Sequence, residues 1–188
     1  TFTVTLSAAS GQSVSVNYAT TVGSTEAGDH DLPSGTLTFT PGQTSQSVTV
    51  TINDDGVYEG LENYTVTLGG ASNASIADGT GSGGIIDDGS GSGGSDDDRP
   101  SLSVSSASAT EGSDTHAVFT VSLSNASDFA TTVDLALTSG TATVGTDTSG
   151  LEVSTDNGAN WSAATSATIA AGSTSVLVRT AVTNDVLD

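Results

Sequence analysis

The sequence predicts an all-β protein made of two antiparallel sandwiches in tandem. Three observations carry this. Short runs alternate polar and apolar residues, as in Thr1–Leu6 (TFTVTL), which is the period of a strand with one buried face. Thr and Val dominate these runs, and no stretch shows a helical stripe led by a cap. The second half of the chain also repeats the first.

Taken in order, Ser13–Ala19 (SVSVNYA) continues the alternation, and the acidic, Gly-containing Gly23–Gly35 reads as a loop. Thr36–Thr40 (TLTFT) is a third strand, turned by Pro41-Gly42. Gln46–Ile52 (QSVTVTI) is the fourth. Asn53–Tyr64 (NDDGVYEGLENY) then gathers Asp54, Asp55, Glu59 and Glu62 with no basic neighbour. Tyr64–Leu68 (YTVTL) and a weaker strand ending at Ile85-Ile86 close the first half. Strands about every eight to twelve residues, with turn signals between them, fit an antiparallel sandwich.

Asp87–Pro100 (DDGSGSGGSDDDRP) is the boundary. The expected organisation is a first sandwich at 1–88, a Gly/Ser/Asp linker at 89–99 and a second sandwich at 100–188. Gly and Ser favour a flexible joint. The acids Asp87, Asp88 and Asp96–Asp98 would stiffen it on binding cations.

The second half opens with Ser101–Ser105 (SLSVS) and Thr110-Glu111-Gly112. Val118–Ser124 (VFTVSLS) then matches Thr1–Ser7 (TFTVTLS), and Thr132–Leu137 (TVDLAL) matches Ser13–Tyr18 (SVSVNY). Thr168–Asp185 matches Thr38–Asp55 residue for residue, with Gly172 opposite Gly42 and Val182 opposite Ile52. Extra residues around Leu151–Trp161 carry Asp156-Asn157-Gly158, a hairpin turn signal, and Trp161 is expected to pack on that hairpin. Copy one has no counterpart of Ser101–Glu111. Copy two stops before the counterparts of Glu59 and of the last two strands. Each sandwich is therefore expected to be incomplete at one end, and the chain reads as a window on a longer tandem array.

The chain has 188 residues, 22 acidic against two basic (Arg99 and Arg179), and a net charge of -20. This argues against nucleic acid and anionic membrane as partners. No apolar run is long enough to span a bilayer, so no membrane insertion is expected from this segment. Without cysteine there is no disulfide framework, and metal is the usual alternative staple. Clustered carboxylates repel one another unless a cation intervenes, and calcium accepts an irregular all-oxygen shell. The other reading of Asn53–Tyr64 is a solvated turn that keeps a sheet soluble; the stretch alone leaves both open.

No enzyme is expected. His30 and His116 have no motif placing a nucleophile beside them and read as surface residues. Paired carboxylates of a glycosidase need an aromatic cleft, and this chain has one Trp. The Gly-rich segments lack the lysine of a phosphate loop.

Ser34–Phe39 (SGTLTF), Pro41-Gly42, Val48–Ile52, Asp54-Asp55, Glu59-Gly60, Glu62, Tyr64–Leu68 (YTVTL) and Ile85–Asp88 (IIDD) together resemble the Calx-beta motif. In the second copy Glu111-Gly112, Val118–Leu123 and Ala171-Gly172 through Asp185 carry the likeness. The resemblance implies immunoglobulin-like sandwiches, some of which bind calcium at one pole through acidic loops. Carried over residue by residue, it implies metal ligands at Asp29, Asp54, Asp55, Glu59, Glu62, Asp87 and Asp88 in copy one. In copy two it implies Glu111, Asp147 (opposite Asp29) and Asp185 (opposite Asp55), with Asn184 where copy one has Asp54.

The segments GSGSGGSDDDRP and EVSTDNGANW are similar to repeats of giant RTX-type bacterial adhesins. This second resemblance implies a calcium-stabilised extender on a bacterial cell surface, with calcium ions (Ca2+) and neighbouring repeats of the same chain as partners. Calcium at the acidic poles and at Asp87–Asp98 would straighten such an array. Two alternatives are a glycan- or matrix-binding module of a surface protein and a calcium-sensing regulatory pair. The duplicated, aromatic-poor sequence favours the spacer.

Overall fold

A computed structural model describes residues 1–26, 28–87 and 97–184 of the chain. The chain divides into two compact units, Thr1–Asp55 with Gly60–Gly93, and Gly56–Glu59 with Gly94–Asp188. All thirteen elements among the described residues are β-strands.

The first unit holds β1 (Phe2–Thr5), β2 (Val14–Val22), β3 (Ser34–Phe39), β4 (Ser45–Val48), β5 (Glu62–Ser72) and β6 (Thr80–Ile85). β1 pairs antiparallel with β4, and the second sheet runs β3-β2-β5-β6. Alternation puts Val14, Val16, Phe39, Val48, Val50, Tyr64 and Val66 inward between the sheets, and all are buried.

β6 (TGSGGI) has almost no apolar side chain of its own. Its inward positions are glycine because aromatic rings occupy the space. A Cβ on Gly83 would fall 2.4 Å from Tyr64 Cζ, and one on Gly81 2.9 Å from Phe2 Cδ1. The Phe2 and Tyr64 rings meet edge to face at 5.9 Å, so two rings fill what side chains on β6 would otherwise supply.

The second unit holds β7 (Leu102–Val104), β8 (His116–Leu123), β9 (Thr131–Asp134), β10 (Thr148–Ser154), β11 (Ser162–Ala163), β12 (Ser166–Ile169) and β13 (Ser175–Val182). One sheet runs β11-β10-β13-β8-β7, and β12 pairs with β9 in the other. Val121, Leu123, Ala167, Ile169, Val176 and Val178 form its core.

The register shows how far the duplication goes. Thr5↔Ser45 in the first unit answers Ser122↔Ser175 in the second, as the alignment requires. Val14↔Phe39 answers Thr131↔Ile169, so the residue equivalent to Val14 is Thr131, whereas the sequence match makes it Val133. The match of Thr132–Leu137 with Ser13–Tyr18 is therefore two residues out. A slip of two keeps every side chain on its face, so alternation alone does not reveal it.

The extra residues of the second copy form the expected hairpin. β10 pairs with β11, and Asn157 and Gly158 both take positive φ (57° and 90°) in its turn. Asp156 accepts hydrogen bonds from the Asn160 N–H (2.8 Å) and Nδ2 (2.6 Å) and from Ser154 Oγ (2.8 Å). Those donors pull its carboxyl down to about 2. Trp161 Nε1 donates to Gly158 O at 3.0 Å, so the ring packs on its own hairpin. Arg179 lies 4.3 Å over the ring and pairs with Glu152 at 2.6 Å.

Candidate metal centre

In the first unit the loop before β3 folds onto the strand end that follows β4. Asn53 N–H donates to Asp29 O at 2.7 Å, Asp31 N–H to Thr51 O at 3.0 Å, and Thr51 N–H to Asp31 Oδ1 at 2.8 Å. Pairing along Gln46–Ile52 thus changes hands: its first half joins β1, and its end joins the loop, with a bridge between His30 and Ile52. Behind the loop, Asn63 O accepts the N–H groups of Gly23 and Ser24.

His30 is buried, at 6% exposure, against the expectation of a surface residue. One ring nitrogen meets Thr25 Oγ1 at 3.0 Å, the other meets Asp31 O at 2.6 Å, and the ring stacks 4.6 Å from Tyr64. Both polar atoms are satisfied, which lets it serve as core. Burial first, and the Asp31 charge second, raise the Tyr64 hydroxyl above its ordinary pKa.

Asp29 and Glu62 are both 7% exposed. Asp29 caps its own loop by accepting the Glu26 N–H, and Glu62 opens β5 opposite Ile85. An oxygen of each lies within 4.8 Å of the other. The first unit contains no Lys or Arg, since Arg99 and Arg179 both lie in the second. At an effective dielectric of about 20, two such charges repel by about 3.5 kcal/mol. Two oxygens touching one calcium ion at about 2.3–2.6 Å lie no more than about 5.2 Å apart, so the pair fits a shared calcium in spacing and donor type.

The other expected ligands of copy one are placed differently. Asp54 and Asp55 are exposed, Asp87 is half-buried after β6, and none joins Asp29 and Glu62 in a mutual group at that distance. Asp88 lies outside the described residues, as do linker residues 89–96. Glu59 belongs to the segment that groups with the second unit. There Tyr58 N–H donates to Ala126 O, Asp128 N–H donates to Tyr58 O (both 3.0 Å), and the Tyr58 ring meets Phe129. This brings a Glu59 oxygen within 4.8 Å of one of Asp128.

In the second unit Asp147 takes the place of Asp29. Thr183 N–H donates to Asp147 O at 2.8 Å, just as Asn53 does to Asp29, and Asp147 Oδ2 accepts the Thr143 N–H at 2.6 Å. Glu111 is exposed, and its neighbour Gly112 lies close to Asn184. Neither Glu111 nor Asp147 joins a group of three potential ligands among the described residues. Asp185 lies outside them. Of the linker acids, Asp97 is held by Arg99 at 2.6 Å, and that hydrogen bond lowers its carboxyl pKa.

The Calx-beta domain model matches residues 1–85 and 95–156. The chain belongs to the Calx-beta family. A crystal structure of the apo form of the Calx CBD1 domain is 26% identical over 40% of this chain and 70% of its own, with a TM-score of 0.38. The calcium binding domain CBD12 of CALX1.1 is 17% identical over 90% of this chain, with a TM-score of 0.40. CBD12 from CALX1.2 is 14% identical over 94% of this chain, with a TM-score of 0.38. The chain spans 62% and 65% of the lengths of these two tandem structures. No curated protein matches it in sequence.

Within this Calx-beta chain, sequence reasoning picked out Asp29, Glu62 and Asp147 and passed over Asp128. The signal for Asp128 was slight: one acid in the turn after β8, with its partner carboxylate far off in sequence.

Proposed function

We propose that this chain is a calcium-binding structural segment, an extender in an adhesin displayed on a bacterial cell surface, with no catalytic role. The observation that carries the calcium reading is the buried Asp29–Glu62 pair within a unit that has no basic side chain except His30. Membership of the Calx-beta family supports it. The extender reading draws on the duplicated, cysteine-free, aromatic-poor sequence and on the likeness of its linker and hairpin to adhesin repeats.

Asp29 and Glu62 would hold the ion, and the ion would supply the positive charge that turns their repulsion into a tie. The chain's part is to fix both carboxylates beforehand. The Asn53 bond to Asp29 O fixes the loop, and the β5–β6 ladder fixes Glu62. Binding to the folded state alone then stabilises it by linkage.

Calorimetric titration of the chain with calcium, alongside melting in calcium and in chelator, tests the reading. Heat of binding that is lost in Glu62→Gln is the expected result. No heat and no change in melting at millimolar calcium would overturn it.

A further inference from the structure

The β10–β11 hairpin of the second unit carries chemistry of its own. Asn157 precedes Gly158, whereas every other asparagine of the chain precedes a residue with a side chain. An asparagine carboxamide can acylate the next backbone nitrogen, because the attack closes a five-membered ring. A side chain on the following residue hinders that approach, and glycine has none. Asn73 supplies the contrast. It shares the positive φ (60° against 57°) but precedes Ala74. Asn157 is also exposed, so water reaches its carboxamide.

The fold restrains the attacking nitrogen. Gly158 N–H donates to Ser154 Oγ at 2.8 Å, and that hydroxyl donates to Asp156 Oδ1 at 2.8 Å. Ser154 is 2% exposed, so its oxygen is fixed by packing. The nitrogen becomes a nucleophile only on losing its proton. The Asp156 carboxylate, one hydroxyl away, disfavours a second negative charge there. Its pKa of about 2 keeps that charge in place throughout the neutral range. The backbone is held as well. Ala159 N–H donates to Asp156 O at 3.3 Å across the turn, and Trp161 Nε1 donates to Gly158 O at 3.0 Å. Ring closure needs the Asn157–Gly158 peptide to rotate, which breaks the bond to Ser154.

We propose that Asn157 is a site of slow self-modification, its carboxamide turning into aspartate and isoaspartate, and that Ser154 holds the reaction back while the hairpin is folded. A base in solution takes the Gly158 N–H proton. The nitrogen pair attacks Asn157 Cγ, a C–N bond forms, the Cγ–Nδ2 bond breaks and ammonia leaves. Water then opens the cyclic imide at either carbonyl. Attack at the Asn157 side-chain carbonyl gives aspartate, and attack at its main-chain carbonyl gives isoaspartate. The balance is one water in and one ammonia out, with no oxidant or reductant. Aspartate tolerates positive φ and leaves the turn its length. Isoaspartate adds a methylene to the main chain beside the Trp161 contact. The modification therefore records how often the hairpin opens. The proposal does not rest on calcium.

Incubation of the full chain at mildly alkaline pH, in native buffer and in urea, tests it. Peptide mapping by mass spectrometry follows each asparagine, and enzymatic methylation tells isoaspartate from aspartate. The expected result is conversion at Asn157 in urea, slowed by about tenfold or more in native buffer, with no comparable conversion at Asn73. Ser154→Ala should raise the native rate by about threefold or more. Asp156→Ala, which alters an exposed side chain, should act in the same direction. Trp161 emission shows whether the hairpin stays folded in each variant. An intact Asn157 in urea overturns the site. Equal rates in native buffer and urea overturn the restraint, and so does an unchanged rate in variants that keep native Trp161 emission. Where a variant loses that emission, the comparison of native buffer with urea decides.

Discussion

Asp29 and Asp147 occupy the same place in two copies of one framework. Each offers its carbonyl to an N–H at the end of the long strand run, from Asn53 at 2.7 Å and from Thr183 at 2.8 Å. Each turns its carboxylate back onto a backbone N–H of its own loop, that of Glu26 or Thr143. The units differ in what comes next. β5 brings Glu62 beside Asp29 and buries both, whereas no residue of the described second unit forms a group of three ligands with Asp147. The backbone thus fixes one acid in each copy, and in the first unit β5 brings a second to it. A shared aspartate is a scaffold feature; the pair is what asks for an ion.

The strongest way to break this comparison is to unfold the copies separately. Phe39 and Ile169 are equivalent and each 1% exposed. Phe39→Ala should cost about 3–5 kcal/mol and Ile169→Ala about 2–5 kcal/mol. Scanning calorimetry should show each variant lowering one melting transition and sparing the other. A single transition that shifts with both would mean that the copies do not fold as separate units.

Calcium sharpens it next. At an ion concentration of about a hundred times the dissociation constant, binding adds about 2.7 kcal/mol, enough to raise the first unit's melting temperature by about 10 °C or more. Glu62→Gln should remove that response. Asp147→Asn should leave the response intact. Equal loss in both variants would erase the difference drawn between the units.

Gly83→Ala probes the ring-filled sheet of the first unit. The new Cβ meets the Tyr64 ring at 2.4 Å, and overpacking of this kind costs about 1–3 kcal/mol, read as a lower midpoint in urea.

The smallest effect belongs to the second unit's hairpin. Asp156 has its pKa depressed to about 2, against an ordinary carboxylate near 4 when unfolded. Its contribution is therefore full above about pH 4 and lost as pH falls through about 2. Asp156→Ala should flatten that part of the second unit's stability profile; an unchanged profile would show that the Asn160 and Ser154 bonds do not matter.

Much of this fold was legible because alternation and duplication say the same thing. β1, β2, β3, β5, β8 and β13 all fall where polar and apolar residues take turns. β6 was faint because its inward positions are glycines, and the apolar matter that fills them belongs to Phe2 and Tyr64. His30 misled for a similar reason. Flanked by Asp29 and Asp31 it reads as exposed, yet Thr25 and the Asp31 carbonyl satisfy its ring nitrogens and let it go inward. At the candidate site, Asp29 and Glu62 were among the acids that the resemblance pointed to. The Glu59–Asp128 approach was not legible, because it depends on Tyr58 pairing with the turn after β8, far along the chain.

The hairpin has a practical consequence of another kind. Trp161 is the only indole in the chain, and it sits in the second unit with Arg179 over its face. Its fluorescence is a native optical label for that half alone, whereas tyrosine signal comes from both, with Tyr18 and Tyr64 in the first unit and Tyr58 in the second. The duplicated protein thus carries a built-in reporter for one of its two copies, whose fate can be followed by light without attaching a dye.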